Sequence, residues 1–345
     1  MASGSWPTLV DVASRTDPEG DIPEVAEMLS QCNDYTDDAP YMEANEKTGH
    51  EFVFRTSIPA GSWRQYNQGT SYSKSTTAKA RVGLGMLTDF SQVDRALLRH
   101  SGQGEKFRRS EDFAFLEGMG QTIAQTLIYG NTANTPAEFM GLATFYNTIA
   151  NAQNGLNILN GGGTASSNTS LWYIGWSPES FFLIYPRVEK AGLVVEDRGD
   201  VVPAYDNLGN PFLAWTTYFE QAVGLVPKDW RYGGRVANID VTNAGLAGPN
   251  ALDIFATMAE LVLLFPKTSK AVSGVTKTDA PDDQFGTRRV WYCNRTLLHW
   301  MYVQAMRDRN VLLRLEDYAG IVTDNFRGDP IKLIDQITNT ESQIT

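Results

Sequence analysis

The chain has 345 residues, 42% of them hydrophobic and 11% aromatic, enough for roughly two domains and a sizeable core. A net charge of −11 argues against a nucleic-acid-binding domain, which wants a basic surface. No run approaches the ~18 apolar residues of a membrane helix, and the opening "MASGSWPTLVDVASRTDPEG" has neither a basic leader nor an apolar h-region, so neither a membrane span nor export is expected. Cys32 and Cys293 lie far apart and outside any C-x-x-C pattern, which reads as two reduced thiols.

Charge is unevenly placed along the chain. Residues 1 to 50 hold eleven acidic and two basic side chains, and residues 51 to 110 hold ten basic and four acidic ones. Such blocks either face water or meet opposite charge on a neighbouring subunit. Within the first block only "IPEVAEMLSQC" (22 to 32) is amphipathic, too little to close a core, so this segment reads as an arm lying on something else. From 51 to 87 the sequence alternates at both ends, "EFVFRTSI" and "KARVGLGML", around a polar centre, which predicts a long hairpin. Its middle, 65 to 77, has almost no aliphatic residues, so the tip projects.

"DFSQVDRALLRHSG" predicts a short helix, and "SEDFAFLEGMGQTIAQTLIYGN" a long one over 111–129. Phe113, Leu116, Ile123 and Leu127 recur at steps of three and four with Met119 or Gly120 between them, forming one apolar stripe. Ser110 is the expected N-cap, and Gly130 with Asn131 the expected left-handed stop. Beyond 150 the pattern turns to β: "SLWYIGWS", "FFLIYP", "GLVVED", "FLAWTTYFEQAVGLVP" and "GRVANIDV" are rich in β-branched and aromatic residues, with turn-formers between. Two helices, "NALDIFATMAELVLLFP" and "RTLLHWMYVQAMRD", flank a polar loop and the strand "RVWYCN", and the end of the chain supplies final strands. Helices and strands mix without regular βαβ alternation, which predicts an α+β fold.

Chemistry-bearing motifs are missing. His50, His100 and His299 stand alone, and His299 reads as a packed core histidine. "GLGML" and "GMGQTI" lack the third glycine of a dinucleotide fingerprint and read as packing glycines. "DAPDDQFG" lacks the spacing of a calcium loop, and neither cysteine sits in a nucleophile motif. The two "RGD" tripeptides are weak signals, and the eight tryptophans read as core rather than as sugar platforms. No catalytic, cofactor or metal site is assigned, so no enzyme is expected. The reading is a structural or interaction protein.

The order of acidic arm, basic hairpin, long helix and "YGNTANTPAEFMGLA" resembles major capsid proteins of tailed bacteriophages with the Hong Kong 97-like fold. "LWYIGWSPESFFLIYPRVEKAGLVVEDRGD", "GLVPKDWRYGGRVANIDV" and "FRGDPIKLIDQITNTES" extend the resemblance over most of 50 to 345. It implies an N-terminal arm (1–50), an extended β-hairpin loop (51–87), a peripheral domain with the spine helix (88–170), a β-rich part with an axial domain (171–310) and C-terminal strands returning to the peripheral domain (311–345). It also implies hexamers and pentamers tiling an icosahedral shell around double-stranded DNA, in a virion assembled in the host bacterial cytoplasm. Arm and loop then cross subunits, with Arg55, Arg64, Lys74, Lys79 and Arg81 as intersubunit candidates. Fifty residues before the hairpin are too few for a built-in scaffold segment, so a separate scaffolding protein is the expected partner, beside a portal and cement proteins. Lys74 and Lys79 have no assignable asparagine acceptor, so crosslinking is not expected. The alternatives are an encapsulin-like nanocompartment shell and a carbohydrate-binding protein.

Overall fold

The computed structural model describes residues 6–8, 30–101, 104–149, 153–164, 166–187, 192–200, 202–206, 208–242, 251–266, 287–308, 313–318 and 321–345. Strands β1 (Tyr41–Glu43), β2 (Gly49–Ser57), β3 (Thr76–Gly83) and β4 (Gly85–Asp94) precede helices α1 (Arg95–Ser101), α2 (Gly104–Tyr129) and the short α3 (Leu142–Phe145). Strands β5 (Ile158–Asn160), β6 (Asn168–Trp176), β7 (Phe181–Tyr185), β8 (Val194–Asp197), β9 (Val202–Tyr205), β10 (Pro211–Pro227) and β11 (Gly233–Asp240) form the middle. Helix α4 (Ile254–Leu264), β12 (Arg288–Cys293), α5 (Arg295–Asp308), β13 (Leu313–Tyr318), β14 (Ile321–Phe326) and β15 (Asp329–Leu333) complete the chain. The fold is mixed α+β.

One sheet runs β13-β14-β15-β12-β6-β7-β10-β4, with β11 on the other side of β6. Strand β6 is buried along its whole length, and from Leu171 to Trp176 it is apolar or aromatic apart from Gly175. On one face Trp172, Ile174 and Trp176 meet Ile123, Leu127 and Ile128 of α2; on the other, Leu171 and Tyr173 meet Ile254, Met258 and Leu261 of α4 and Leu297 and Met301 of α5. Each such side chain removed from water contributes about 1.5–3 kcal/mol before entropy is counted. Strand β10 joins this sheet to a second ladder. Its last residues pair with β7, while its first part lies between β4 and the β8 and β9 strands.

Helix α2 starts at Gly104 rather than 111, so Ser110 lies inside it and is no cap. Phe107, fully buried with Val93, Leu97 and Leu98 and packed on by Trp215, holds those extra turns. Tertiary packing there overrides a local stop signal. Phe113, expected on the buried stripe, is 57% exposed; Leu116 is half-buried, and continuous burial begins at Met119. The run "DFSQVD" is not helical but the outer half of β4, paired with β10 from Phe90↔Tyr218 to Asp94↔Ala214. His299 is exposed, not core.

The turn after α2 closes differently from the expected left-handed stop. Neither Gly130 nor Asn131 has positive φ. Gly130 N–H still donates to Thr126 O (2.8 Å), and its carbonyl accepts from Gly141 N (2.8 Å) and Thr144 Oγ1 (2.7 Å). A Cβ at Gly130 would lie 2.3 Å from Phe139 O, so close approach of backbone demands the glycine. Asn131 Oδ1 accepts from Ala133 N (2.9 Å), a side-chain mimic of a turn, before Phe139 and Leu142 bury. The stretch is a joint held by its own bonds.

The part of the expected arm from Gln31 onward packs on its own subunit. Gln31 N donates to Glu117 Oε1 (2.9 Å), and Cys32 exchanges backbone bonds with Asp335 (3.0 Å each way, to its side chain and from its N–H). Asp38, its side chain fully buried, meets Arg288 (2.6 Å), Lys332 (2.8 Å) and Tyr292 OH (2.8 Å). β1 then runs parallel to β7. The run 22–29, the tip of the polar loop (274–286) with "DAPDDQFG", and its metal reading lie outside the described residues.

Candidate assembly surfaces

The β2–β3 hairpin is antiparallel with Glu51↔Arg81 and Val53↔Lys79 in register, and it ends at Gly83; the residues from Gly85 belong to β4. Its root is fixed by an apolar cluster of Ala44, Phe52, Val82, Phe182, Ile184 and Val226. His50 sits edge-on to Phe182 at 5.5 Å, and burial, with Lys228 nearby, lowers its pKa against a smaller opposing effect of Glu46. Gly49 is needed there because a Cβ would meet Val82 O at 2.4 Å.

Beyond Ser57 the hairpin leaves the body. Trp63, Tyr66 and Tyr72 are 105%, 97% and 105% exposed, and Ile58 is exposed too. Trp63 thus departs from the core role expected of the tryptophans. Large apolar side chains grouped on one projecting segment mark an interaction site.

The five basic candidates divide into two sets. Lys79 Nζ lies 2.6 Å from Glu51 Oε1, and Arg81 reaches Glu46 Oε2 (2.8 Å) and Thr48 Oγ1 (2.7 Å), so both are engaged within the subunit. Their side chains stay more than half exposed beside those partners. Arg64 donates only to Gln68 O (3.1 Å), and Arg55 and Lys74 are exposed with no carboxylate partner among the described residues. Phe113, Gly118 and Gly120 are each exposed on α2, and an added Cβ at either glycine meets nothing within 4 Å. Those two glycines are not packing contacts within the subunit.

Two charged clusters escape sequence reasoning. Asp38 is one. The other joins Arg235 to Glu341 (2.8 Å), with Arg235 also bonding Ser170 Oγ (2.9 Å) and Tyr146 O (2.8 Å) and lying 4.9 Å over Trp172. Tyr129 OH, at the end of α2, donates to Glu341 Oε1 (2.6 Å), and Ser170 OH to its other oxygen. Burial beside that carboxylate pushes the Tyr129 phenol up. No local pattern around "NTESQIT" signals the pair. The "RGD" carboxylates are occupied: Asp200 pairs with Arg95 (2.9 Å), and Asp329 accepts from Tyr173 OH (2.6 Å). Among the described residues there is no cluster of metal-ligating side chains, and no helix is long and apolar enough to cross a membrane.

The family model for major capsid protein GP7 matches residues 17–345. The chain belongs to that family. This capsid protein is also similar to a chain of the bacteriophage Epsilon15 structure, at 32% identity over 100% of this chain and 99% of that one, with a TM-score of 0.72. A capsid chain of bacteriophage JBD30 matches at 12% identity over 91% of this chain and 93% of that one, TM-score 0.49. No curated protein sequence matches. The capsid protein is thus a shell-forming head protein of a tailed phage and a component of its virion. Gly130, Asn131 and Leu127 form the joint of its long helix, and the hairpin is exposed from Ser57 to its tip.

Proposed function

We propose that this head protein assembles as hexamers and pentamers into an icosahedral shell around double-stranded DNA, with the hairpin tip lying over a neighbouring subunit. The observation that carries this reading is the group Trp63, Tyr66 and Tyr72, which its own subunit leaves in water. Burial on a second copy stabilises the contact, and Arg55, Arg64 and Lys74 steer it towards acidic surface. A head-to-tail contact of this kind closes rings when its rotation closes.

In this reading α2 is the spine of a peripheral domain, α4 and α5 belong to an axial domain, and the last strands return to the peripheral side. Assembly takes place in the host bacterial cytoplasm with a separate scaffolding protein, and portal and cement proteins complete the head. The test is co-production with the scaffolding partner and cryo-electron microscopy of the product. Uniform closed shells with five- and six-fold capsomers are expected; a protein that stays monomeric contradicts the reading.

A further inference from the structure

Trp6 is the only aromatic residue in the first 34 positions. Its ring meets Phe212 edge to face, centroids 5.7 Å apart and planes at 86°. Phe212 lies in β10 opposite Ala204 of β9, at the far end of the second ladder. Between these strands Asp206 gathers several hydrogen bonds. Asp206 accepts from Leu208 N (2.9 Å), Asn210 N (2.7 Å) and Asn210 Nδ2 (2.9 Å), Asp206 N donates to Asn210 O (2.9 Å), and Gly209 supplies φ of +86°. Phe212 and Ala204 share one face of this hairpin end, Tyr205 and Leu213 stand exposed on the other, and Leu208 is exposed in the turn, so the Trp6 ring meets the Phe212 face.

Residues 9–29 contain six acidic side chains, one arginine and no aromatic. A charged segment with a single large ring concentrates its docking energy in that ring. Pro7 restricts Trp6 to extended backbone, which lowers the entropy lost on docking.

We propose that Trp6 anchors the N-terminal segment on the β9–β10 hairpin end of its own subunit. The acidic segment is then tethered at two points, Phe212 and the Gln31–Cys32 contacts with Glu117 and Asp335. For the shell this means that both ends of the arm are held by its own subunit. That consequence rests on the capsid reading; the docking does not.

Arg15 is the only Lys or Arg before Lys47, so brief trypsin treatment of the full-length protein reports on release of the segment. Trp6→Ala and Phe212→Ala should each speed cleavage after Arg15 by roughly fivefold, since cleavage tracks the undocked population, and the double variant should be no faster than either. An unchanged rate for Trp6→Ala overturns the proposal, whatever Phe212→Ala does to the hairpin itself. A benzophenone amino acid at position 212, illuminated and digested, should capture the peptide containing Trp6 within one chain. Capture running as a dimer on a denaturing gel overturns the assignment to the same subunit. Absence of shells from the unaltered protein would count against the proposed function alone, because neither readout here depends on assembly.

Discussion

Arg235 Nη2 lies 2.8 Å from Glu341 Oε2, with 4% and 5% of the two side chains exposed, and the pair ties β11 to the last residues of the chain. Removing one member strands the other charge in a dry site. Glu341→Ala is therefore expected to destabilise the subunit by about 3–5 kcal/mol. Glu341→Gln keeps an acceptor for Arg235 and should cost less. Denaturant unfolding of both variants checks this, with the order Ala below Gln as the expected result.

The exposed helical glycines give the opposite sign. Gly118→Ala and Gly120→Ala add a Cβ that meets nothing in the subunit, so each should stabilise α2 by about 0.5–1 kcal/mol. Thermal unfolding of the free subunit reads this gain. If either substitution reduces the yield of shells, the side of α2 that carries that glycine lies against another subunit in the capsid.

His50 gives the hairpin root a pH dependence. Burial beside Phe182 and near Lys228 holds its folded pKa below the ordinary 6.5. The unfolded chain thus binds the proton more readily, so the contribution is full above pH about 6.5 and is lost as pH falls through the lowered folded value. Hydrogen exchange at Gly49–Phe52 and Ala80–Val82 should accelerate relative to the rest of the sheet on acidification. His50→Asn should remove that difference.

The charge assignment separates two groups of cations. Reversing Arg55, Arg64 and Lys74 to Glu should leave the fold intact and impair shell formation, because none pairs with a carboxylate among the described residues of its own subunit. Lys79→Ala should leave both folding and assembly close to unaltered, since its partner Glu51 is on the same hairpin and the pair is solvated. Assembly yield measured over a salt series distinguishes them: only the triple reversal should change its slope.

Much of this architecture is legible in the sequence because it follows from period and composition. The alternation in "EFVFRTSI", the run "LWYI" in β6 and the spacing of α4 and α5 each dictate their element. Segments where distant packing outweighs local preference are not legible. Phe107 carries α2 two turns past an apparent cap at Ser110, because α1 and Trp215 cover it. Asp89–Asp94 contains helix-compatible residues yet pairs with β10. Gly130 is required by the approach of Phe139, a residue that only the folded joint brings near. Likewise Arg81 looks like a free cation in sequence, and only the register with Glu51 and the turn at Glu46 reveals its partners. Charge pairing across a hairpin is set by a turn whose length the pattern does not fix.

The most direct measurement is electron microscopy of particles formed by a variant with Trp63, Tyr66 and Tyr72 replaced by Ser, beside the unaltered protein under the same conditions. These rings contact nothing that buries them within the subunit, so unfolding stability should hold while closed shells disappear in favour of free subunits. Shells of normal yield and diameter from that variant would contradict the claim that the hairpin tip builds the capsid.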